Sequence, residues 1–393
     1  MGRSSSGRVA GLDGLRALAI TGVILTHVLP NRVPGGQIGV DVFFALSGYL
    51  ITSLLLRESE RFGAIRLRDF YARRFLRLMP AYVVFLVGAT ALSLHYQAPH
   101  TWSDLVAAAT YTADFHFAFT APRGSYTGHS WSLSVEEQFY LLWPLTLTAL
   151  LRARRVRLRT AVITLAVGFL ALSAVLQLAG VSDATLFFLP TTRAPELLAG
   201  VLGAVLVQEG LPRGLERATV STLVAAGALI LVVAWMRHDT WDDPWSYRGG
   251  FTVVAILTVV VILHVEQRPD SLVSRALGWW PVALVGRRSY AAYLWHIPAL
   301  IIADYTVTDR RELLALTVGL TAVATTLSWY LVEAPCLRLK SRFERVHLHD
   351  PGDDATLPAL ADVTPSTQRF PPASGSAGER AGVVSDISSA ETG

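Results

Sequence analysis

The sequence predicts an all-α protein, a polytopic transmembrane bundle of about ten helices with both termini in the cytoplasm. Of its 393 residues, 52% are apolar and only 16% are charged, and the mean hydropathy is +0.42. Soluble domains do not show this balance. Apolar runs long enough to cross a bilayer, roughly 17 to 25 residues each, recur from residue 12 to residue 333. Arginine-rich segments separate these runs, so the basic charge indicates membrane topology and not nucleic acid binding.

The spans follow from these runs in order. They are 12–29, 37–56, 78–96, 132–151, 160–180, 185–208, 218–236, 250–266, 281–303 and 311–333. The first run lacks a small-residue cleavage site and contains Asp13, Arg16 and His27, so we interpret it as a retained helix and not as a signal peptide. Arginines concentrate in segments 57–77 and 152–159, which predicts that these segments face the cytoplasm.

Two further segments complete the predicted organisation. Segment 104–121 is apolar but contains Asp104, Asp114 and His116, so we expect a re-entrant or surface segment there. Residues 1–345 are then the transmembrane domain. Residues 346–393, rich in Ser, Pro, Gly, Asp and Ala, are expected to be a disordered cytoplasmic tail. Cys336 is the only cysteine, which excludes an intramolecular disulfide and a cysteine metal cage, and we expect no metal site.

The first helix contains the clearest functional candidates. An ionisable side chain inside a span costs several kcal/mol unless it faces a partner or a cavity, so each one is a candidate by default. Arg16 and His27 are eleven residues apart, which places them on one helical stripe and roughly 16 Å apart along the axis. Asp41 on the second span is expected at a depth similar to that of His27. Either Asp41 or Glu136 could orient the imidazole of His27.

The fourth span begins with a second polar group, formed by His129, Glu136 and Glu137. Glu136 lies nearly two turns beyond His129 and can share its face, whereas Glu137 is turned by about 100°. We therefore expect Glu136 to be the inward-facing glutamate.

Two later spans contain ionisable residues for which a structural role carries similar weight. Arg193 and Glu196 are spaced i,i+3 and could pair with each other, either as part of a site or only to hold the bundle together. His296 could equally be a hydrogen bonder between helices.

Six segments of the chain, in order, resemble the acyltransferase-3 family, whose members are membrane enzymes that O-acylate sugars, glycans and antibiotics. The segments are LDGLRALAI at 12–20 leading to His27, GVDVFFALSGYLI at 39–51, RRFLRLMP at 73–80, HSWSLSVEEQFY at 129–140, RAPELLAG at 193–200 and SYAAYLWHIP at 289–298. The resemblance covers nearly the whole chain up to Pro335.

The resemblance implies roles for particular residues. Arg16 and His27 match an Arg-x10-His pair essential for transfer, and the family's arginine cluster for the acyl donor is matched by Arg73, Arg74 and Arg77. Supporting roles are implied for His129, Glu136 and Glu137. Positive-inside topology alone would explain most of the arginines in 57–77.

The resemblance also implies partners and a location. Acyl-CoA would be a co-substrate, with no permanently bound cofactor, and the acceptor would be a hydroxyl-bearing sugar, glycan or macrolide. The protein would be a multi-pass protein of the bacterial plasma membrane. Histidine titrates near working pH, so His27 would be the general base, with Arg16 nearer the cytoplasmic end of the donor path.

Two alternatives stay open at this point. The acceptor could be an envelope polysaccharide or glycolipid, as for an O-acetylase, in place of a macrolide antibiotic. In another class, a secondary transporter would also have buried charges in a ten-helix bundle. The sequence has no inverted repeat or paired broken helices that would favour the transporter.

Overall fold

A computed structural model describes residues 9–98, 100–120, 125–153, 157–210, 218–240 and 243–339. Within these ranges the chain forms fifteen α-helices and no strand. The helices are α1 (Ala10–Val28), α2 (Gly39–Phe62), α3 (Leu67–His95), α4 (Thr101–Ala109), α5 (Ala113–Phe119), α6 (Ser130–Ala153), α7 (Leu158–Leu178), α8 (Asp183–Phe188), α9 (Pro190–Glu209), α10 (Ala218–Trp235), α11 (Phe251–Gln267), α12 (Leu272–Leu277), α13 (Trp280–Arg287), α14 (Ser289–Thr306) and α15 (Arg310–Ser328). The tail predicted at 346–393 lies outside the described residues.

The described residues contain six helices that are long and apolar enough to cross a membrane. They are α1, α2, α3, α7, α11 with the preceding turn, and α15 with the following turn. The membrane helical bundle is therefore confirmed. The count of ten spans and the cytoplasmic position of both termini stay predictions.

Helix α3 begins eleven residues before the span predicted at 78–96. Residues 67–79 contain neither glycine nor proline and are rich in leucine and arginine, which favour helix. The arginines at 73, 74 and 77 consequently project from a helix and not from a loop. Their directions are fixed by the helix, so neighbouring arginines face different surroundings.

Two predicted spans are each divided into two helices. The span predicted at 185–208 breaks at Leu189, whose backbone is extended at φ −63° and ψ 130°. Leu189 precedes Pro190, and a residue before proline is disfavoured in the helical region. The span predicted at 281–303 breaks at Arg288, at φ −103° and ψ 8°. These breaks separate α8 from α9 and α13 from α14.

The segment expected to be re-entrant or superficial forms two short helices, α4 and α5, of nine and seven residues. Helices of this length cannot cross a bilayer. His116 Nε2 lies 2.9 Å from Asp104 Oδ1. Gln138 of α6 donates to both carboxylate oxygens of Asp114, at 3.1 and 3.0 Å. Burial raises the pKa of Asp114 to about 6, against the opposing effect of this hydrogen bonding.

Helices α2 and α9 are in close backbone contact through glycines on both sides. A Cβ atom on Gly48 would lie 2.0 Å from the carbonyl oxygen of Leu197, and one on Gly200 would lie 2.0 Å from that of Ala45. Small residues that allow backbones to approach are typical of helix contacts in membranes. This contact fixes the position of the polar residues at the start of α9 against those at the start of α2.

Candidate active site

Three side chains of α6 line one wall of a cavity inside the bundle. Ser132, Glu136 and Tyr140 recur every four residues and therefore lie on one helical face. His129, at the start of α6, lies one turn beyond Ser132, on the side of the bundle where α1 ends and α2 begins. The sequence orders these residues by depth along α6, from His129 at one end to Tyr140 at the other.

Arginines dominate the other end of this cavity, which we call the arginine cavity. Its lining includes Arg16, Arg74, Arg77 and Arg287, with Glu136 as its acidic member. The cavity volume is about 90 Å³. Several guanidinium groups beside a single carboxylate make this end of the cavity suited to an anionic ligand.

Arg74 lines the cavity beside Tyr140 of α6. Its guanidinium carbon lies 3.6 Å from the centroid of the Tyr140 ring, a cation–π contact. The buried Nε atom of Arg74 has no hydrogen-bond partner among the described residues. By contrast, Arg73 forms an ion pair with Glu58 of α2 at 3.0 Å and does not line the cavity. Arg73 therefore has a different environment from Arg74 and Arg77, which both line the cavity.

A hydrogen-bond chain crosses the cavity wall between α2 and α6. The Tyr140 hydroxyl donates to Ser47 Oγ at 2.8 Å, and Ser47 Oγ donates to Glu136 Oε1 at 2.7 Å. Glu136 is thus held by Ser47 and does not contact His27. Its neighbour Glu137 lies in a separate groove against α3, beside Met79 and Phe75.

Three histidines from three helices form a contiguous cluster, which we call the histidine cluster. The ring centroids of His27 and His296 are 5.3 Å apart, and those of His296 and His129 are 4.9 Å apart. His129 and His296 are buried, whereas His27 is accessible at the edge of the cluster. Among the described residues no group of three or more side chains has the arrangement of a metal site.

Tyr293 and Ser132 separate the arginine cavity from the histidine cluster. Both line the cavity, and the Tyr293 ring contacts His129 and His296 with centroids 5.3 Å away in each case. The Tyr293 hydroxyl donates to the backbone oxygen of His129 at 3.0 Å and lies 2.5 Å from Ser132 Oγ. The cavity therefore ends directly against the residues that pack on the histidines.

A backbone carbonyl, and not a carboxylate, orients His27. His27 Nδ1 lies 2.6 Å from the carbonyl oxygen of Val23, one turn earlier in α1. A carbonyl oxygen only accepts, so Nδ1 carries the proton and Nε2 of the neutral ring is left as an acceptor. The expectation that Asp41 or Glu136 orients this imidazole is wrong, because both carboxylates bind other partners.

Asp41 and Arg193 form a buried ion pair between α2 and α9. The Arg193 guanidinium also lies over aromatic rings, with the Phe251 centroid at 4.3 Å and the Phe187 centroid at 5.2 Å. Glu196 instead accepts a hydrogen bond from Thr252 at 2.8 Å. The predicted direct pairing of Arg193 with Glu196 is therefore wrong, because the close approach of α2 brings a second carboxylate to Arg193.

Sequence reasoning did not assign Tyr140 or Arg287 to the site. Tyr140 follows Glu136 by four residues, so the spacing along α6 could have indicated it. Arg287 reaches the cavity because Gly286 of α13 lies against the backbone of Asp13, where a Cβ atom would be 1.6 Å from the carbonyl oxygen. No local sequence pattern predicts that contact.

Comparisons with known proteins identify a family and relatives of this chain. The family model described as "Acyltransferase domain" matches residues 9–333. The O-acetyltransferase OatA of Staphylococcus aureus strain NCTC 8325 / PS 47 is 32% identical over 344 residues, which cover 83% of this chain and 56% of OatA. OatA of strain COL matches with the same identity and coverage. The chain thus spans little more than half the length of these relatives. No solved structure matches the chain significantly.

Proposed function

Since this multi-pass membrane protein belongs to the acyltransferase-3 family, we propose that it transfers an acetyl or other short acyl group from acyl-CoA to a hydroxyl of a carbohydrate-containing acceptor. The observation that carries the proposal is the arginine cavity, whose far end meets the histidine cluster at Tyr293 and Ser132. Transfer of an acyl group from a phosphate-bearing thioester requires a region that binds the phosphates and, beside it, a general base.

The donor would enter from the end of the bundle that bears the arginines. Arg16 lies in the first half of α1, and Arg74 and Arg77 lie near the start of α3, so these side chains share one side of the membrane. We assign them to the phosphates of coenzyme A, since guanidinium groups match phosphate geometry. The pantetheine arm and its acyl thioester would extend from these arginines towards His27, and the nucleotide would stay at the rim of the bundle.

The chemistry would take place at His27. The Nε2 atom would accept the proton of the acceptor hydroxyl as its oxygen attacks the thioester carbonyl carbon. Collapse of the tetrahedral intermediate breaks the carbon–sulfur bond, and the coenzyme A thiolate leaves and takes up a proton. The Nδ1 hydrogen bond to Val23 holds the tautomer that this step needs. Direct attack is the proposed route, without an acyl-enzyme intermediate.

The relatives and the site support different parts of the proposal. The relatives' name, O-acetyltransferase, supports an acetyl group and a hydroxyl acceptor. The arginine cavity supports acyl-CoA as the donor. A sugar, a glycan and a macrolide each fit the acceptor class.

The donor assignment is tested by comparing adjacent arginines. Arg74→Ala should raise the KM for acetyl-CoA about 10-fold or more, because a charge-assisted contact worth roughly 1.5–3 kcal/mol is lost. Arg73→Ala is the matched control, since Arg73 pairs with Glu58 outside the cavity, and it should change that KM less than 3-fold. Release of the coenzyme A thiol from protein in nanodiscs is the measurement. Equal effects of the two substitutions would contradict the assignment.

The catalytic assignment is tested by comparing two histidines from different helices, His27 of α1 and His264 of α11. His27→Gln should lower kcat by roughly 10²–10⁴-fold, the usual contribution of a general base, and leave the KM for the donor unchanged. His264→Gln is the control, because His264 only bridges Ser221 and Ser271, both at 2.8 Å. A His27→Gln variant with normal acyl transfer would refute the role of His27.

Solute transport by reconstituted protein without thiol release would favour the transporter.

A further inference from the structure

A second cavity, of about 570 Å³, lies between α7, α9 and the turn Ser246–Gly250 that precedes α11. Its volume falls within the range of roughly 300–1,000 Å³ that is typical of small-molecule sites. None of its lining residues also lines the arginine cavity. This second cavity has no part in the donor path described above.

Two buried charged side chains on the wall of the second cavity have unused hydrogen-bonding atoms. Arg193 is 2% exposed and Glu196 is 1% exposed, and both line the cavity. Arg193 Nε and Glu196 Oε2 have no hydrogen-bond partner in the described part of the chain. An unsatisfied donor and acceptor are costly to bury. Each of these two atoms exposes less than 1 Å² of surface, so a ligand bonds to them only when the Arg193 and Glu196 side chains turn towards the cavity, and those bonds would remove this cost.

The charges on this wall select a neutral, hydroxyl-rich ligand. Two arginines, Arg193 and Arg248, and one carboxylate, Glu196, line the cavity, and Asp41 behind the wall pairs with Arg193, so the positive and negative charges balance and favour neither an anion nor a cation. A hydroxyl group can accept from Arg193 Nε and donate to Glu196 Oε2. Trp245, which is exposed, also lines the cavity and offers an apolar ring beside the polar atoms. A sugar ring combines vicinal hydroxyls with apolar C–H faces, and it matches this lining.

The second cavity lies on the same side of the bundle as His27. His27 is near the end of α1, which ends at Val28, and Asp41 is the third residue of α2, which begins at Gly39. Asp41 pairs with Arg193 of the cavity wall. Gly39, two residues before Asp41, packs against α1, since a Cβ atom there would lie 2.3 Å from the carbonyl oxygen of Ala19. The first turn of α2 therefore lies between the cavity wall and the outer half of α1.

We propose that the second cavity binds a neutral sugar ring of the acceptor, at a subsite remote from the reacting hydroxyl, with Glu196 and Arg193 as its hydrogen-bonding groups. The inference rests on the proposed acyl transfer for its role in catalysis, although sugar binding itself does not require turnover. Binding energy from a remote part of the substrate would position the reacting hydroxyl near His27.

Two substitutions test the second cavity from different walls. Glu196→Gln keeps the Oε1 acceptor for Thr252 and replaces the unsatisfied carboxylate oxygen with an amide donor. Ala174→Trp fills the cavity from α7, and Ala171→Trp is its control, since Ala171 lies on the same helix, is exposed and does not line the cavity. The probes are radiolabelled n-octyl β-D-glucoside and n-octyl N-acetyl-β-D-glucosaminide, with n-octanol as the sugar-free comparison, all with protein in nanodiscs.

Binding of the probes without donor is measured first, after subtraction of the uptake by empty nanodiscs. The parent protein and Ala171→Trp should bind at least one glycoside saturably, and Glu196→Gln and Ala174→Trp should weaken that binding about 10-fold or more. With acetyl-CoA present, both variants should raise the KM for the glycoside by a similar factor and leave the KM for the donor unchanged.

The outcomes separate this inference from the proposed function. Three results would overturn the sugar subsite. The first is saturable glycoside binding that is unchanged in Glu196→Gln and Ala174→Trp. The others are binding of n-octanol as tight as that of the glycosides, and no glycoside binding by the parent protein. Variant-sensitive glycoside binding without any thiol release supports the subsite and contradicts acyl transfer. If Glu196→Gln lowers only the melting temperature and leaves the binding constant unchanged, Glu196 is structural and the inference fails.

Discussion

A single methyl group at Gly200 should separate α2 from α9. The added Cβ would lie 2.0 Å from the carbonyl oxygen of Ala45 and 2.8 Å from the backbone nitrogen of Tyr49. Carbon and carbonyl oxygen normally approach to about 3.3 Å, so the helices must move apart by roughly 1.3 Å. Both contacting atoms belong to backbone, and no side chain can rotate to relieve the clash.

The energetic effect of Gly200→Ala follows from this geometry. Overpacking costs about 1–3 kcal/mol, and we expect the upper part of that range because the clash is with rigid helix backbone. The movement also pulls Arg193 away from Asp41, whose ion pair lies two turns from Gly200. We therefore expect a loss of about 2–3 kcal/mol in the free energy of unfolding, together with reduced acyl transfer.

Two other helical glycines provide matched controls for the same substitution. Gly168 of α7 and Gly227 of α10 have no atom within 4 Å of an added Cβ. Alanine at these positions should be neutral or stabilise the protein by up to about 1 kcal/mol, from helix propensity. Thermal and denaturant unfolding of purified protein in one detergent, followed by tryptophan fluorescence, compares the three variants. A Gly200→Ala variant as stable as Gly227→Ala would refute the close approach of α2 and α9.

Three further predictions concern the polar contacts. Asp41→Asn should destabilise the protein by about 3–5 kcal/mol because it leaves Arg193 buried without its counter-ion. Adding Arg193→Met to this variant should restore most of the lost stability. Unfolding curves measure the stability of the single and double variants, and additive effects of the two substitutions would contradict the pairing. Tyr293→Phe removes the hydroxyl that bonds to the His129 backbone and should lower kcat about 10-fold with little change in the KM for acetyl-CoA, measured by thiol release; an unchanged kcat would exclude Tyr293 from supporting the histidine cluster. Burial raises the pKa of Asp114 above its value in the unfolded chain, so the folded state holds this proton more tightly. The free energy of unfolding should therefore fall as the pH rises from about 4 to about 6. Subtracting the pH profile of the free energy of unfolding of Asp114→Asn isolates the effect, and identical profiles of the two proteins would refute it.

The helical bundle and the candidate residues on single helices could be predicted from the sequence. The apolar runs identified the membrane spans because a lipid-embedded backbone must satisfy its own hydrogen bonds within helices. The four-residue periodicity of α6 placed Glu136 and Glu137 on different faces, and the structure puts them in different cavities. The breaks at Leu189 and Arg288 were missed although Pro190 and the adjacent Arg287 and Arg288 interrupt the apolar runs there.

The partners of the charged residues could not be predicted in the same way. Arg193 and Glu196 are near neighbours on one helix, and their spacing suggested a pair. The glycine contact between α2 and α9 instead brings Asp41 to Arg193, from 152 positions away in the chain. Likewise Arg73, Arg74 and Arg77 form one sequence cluster, but the helix turns Arg73 towards Glu58 and the other two into the cavity.

By itself the sequence determined that the chain crosses a membrane, which positions lie within its helices and which family it belongs to, because these properties depend on local hydropathy, helical period and motif order. Only the tertiary structure decided that a backbone carbonyl holds His27, that His129 and His296 lie beside it, and that the arginine cavity ends at Tyr293. Those contacts join helices far apart in the chain, and their geometry depends on how closely the helix backbones approach one another, which no single segment specifies.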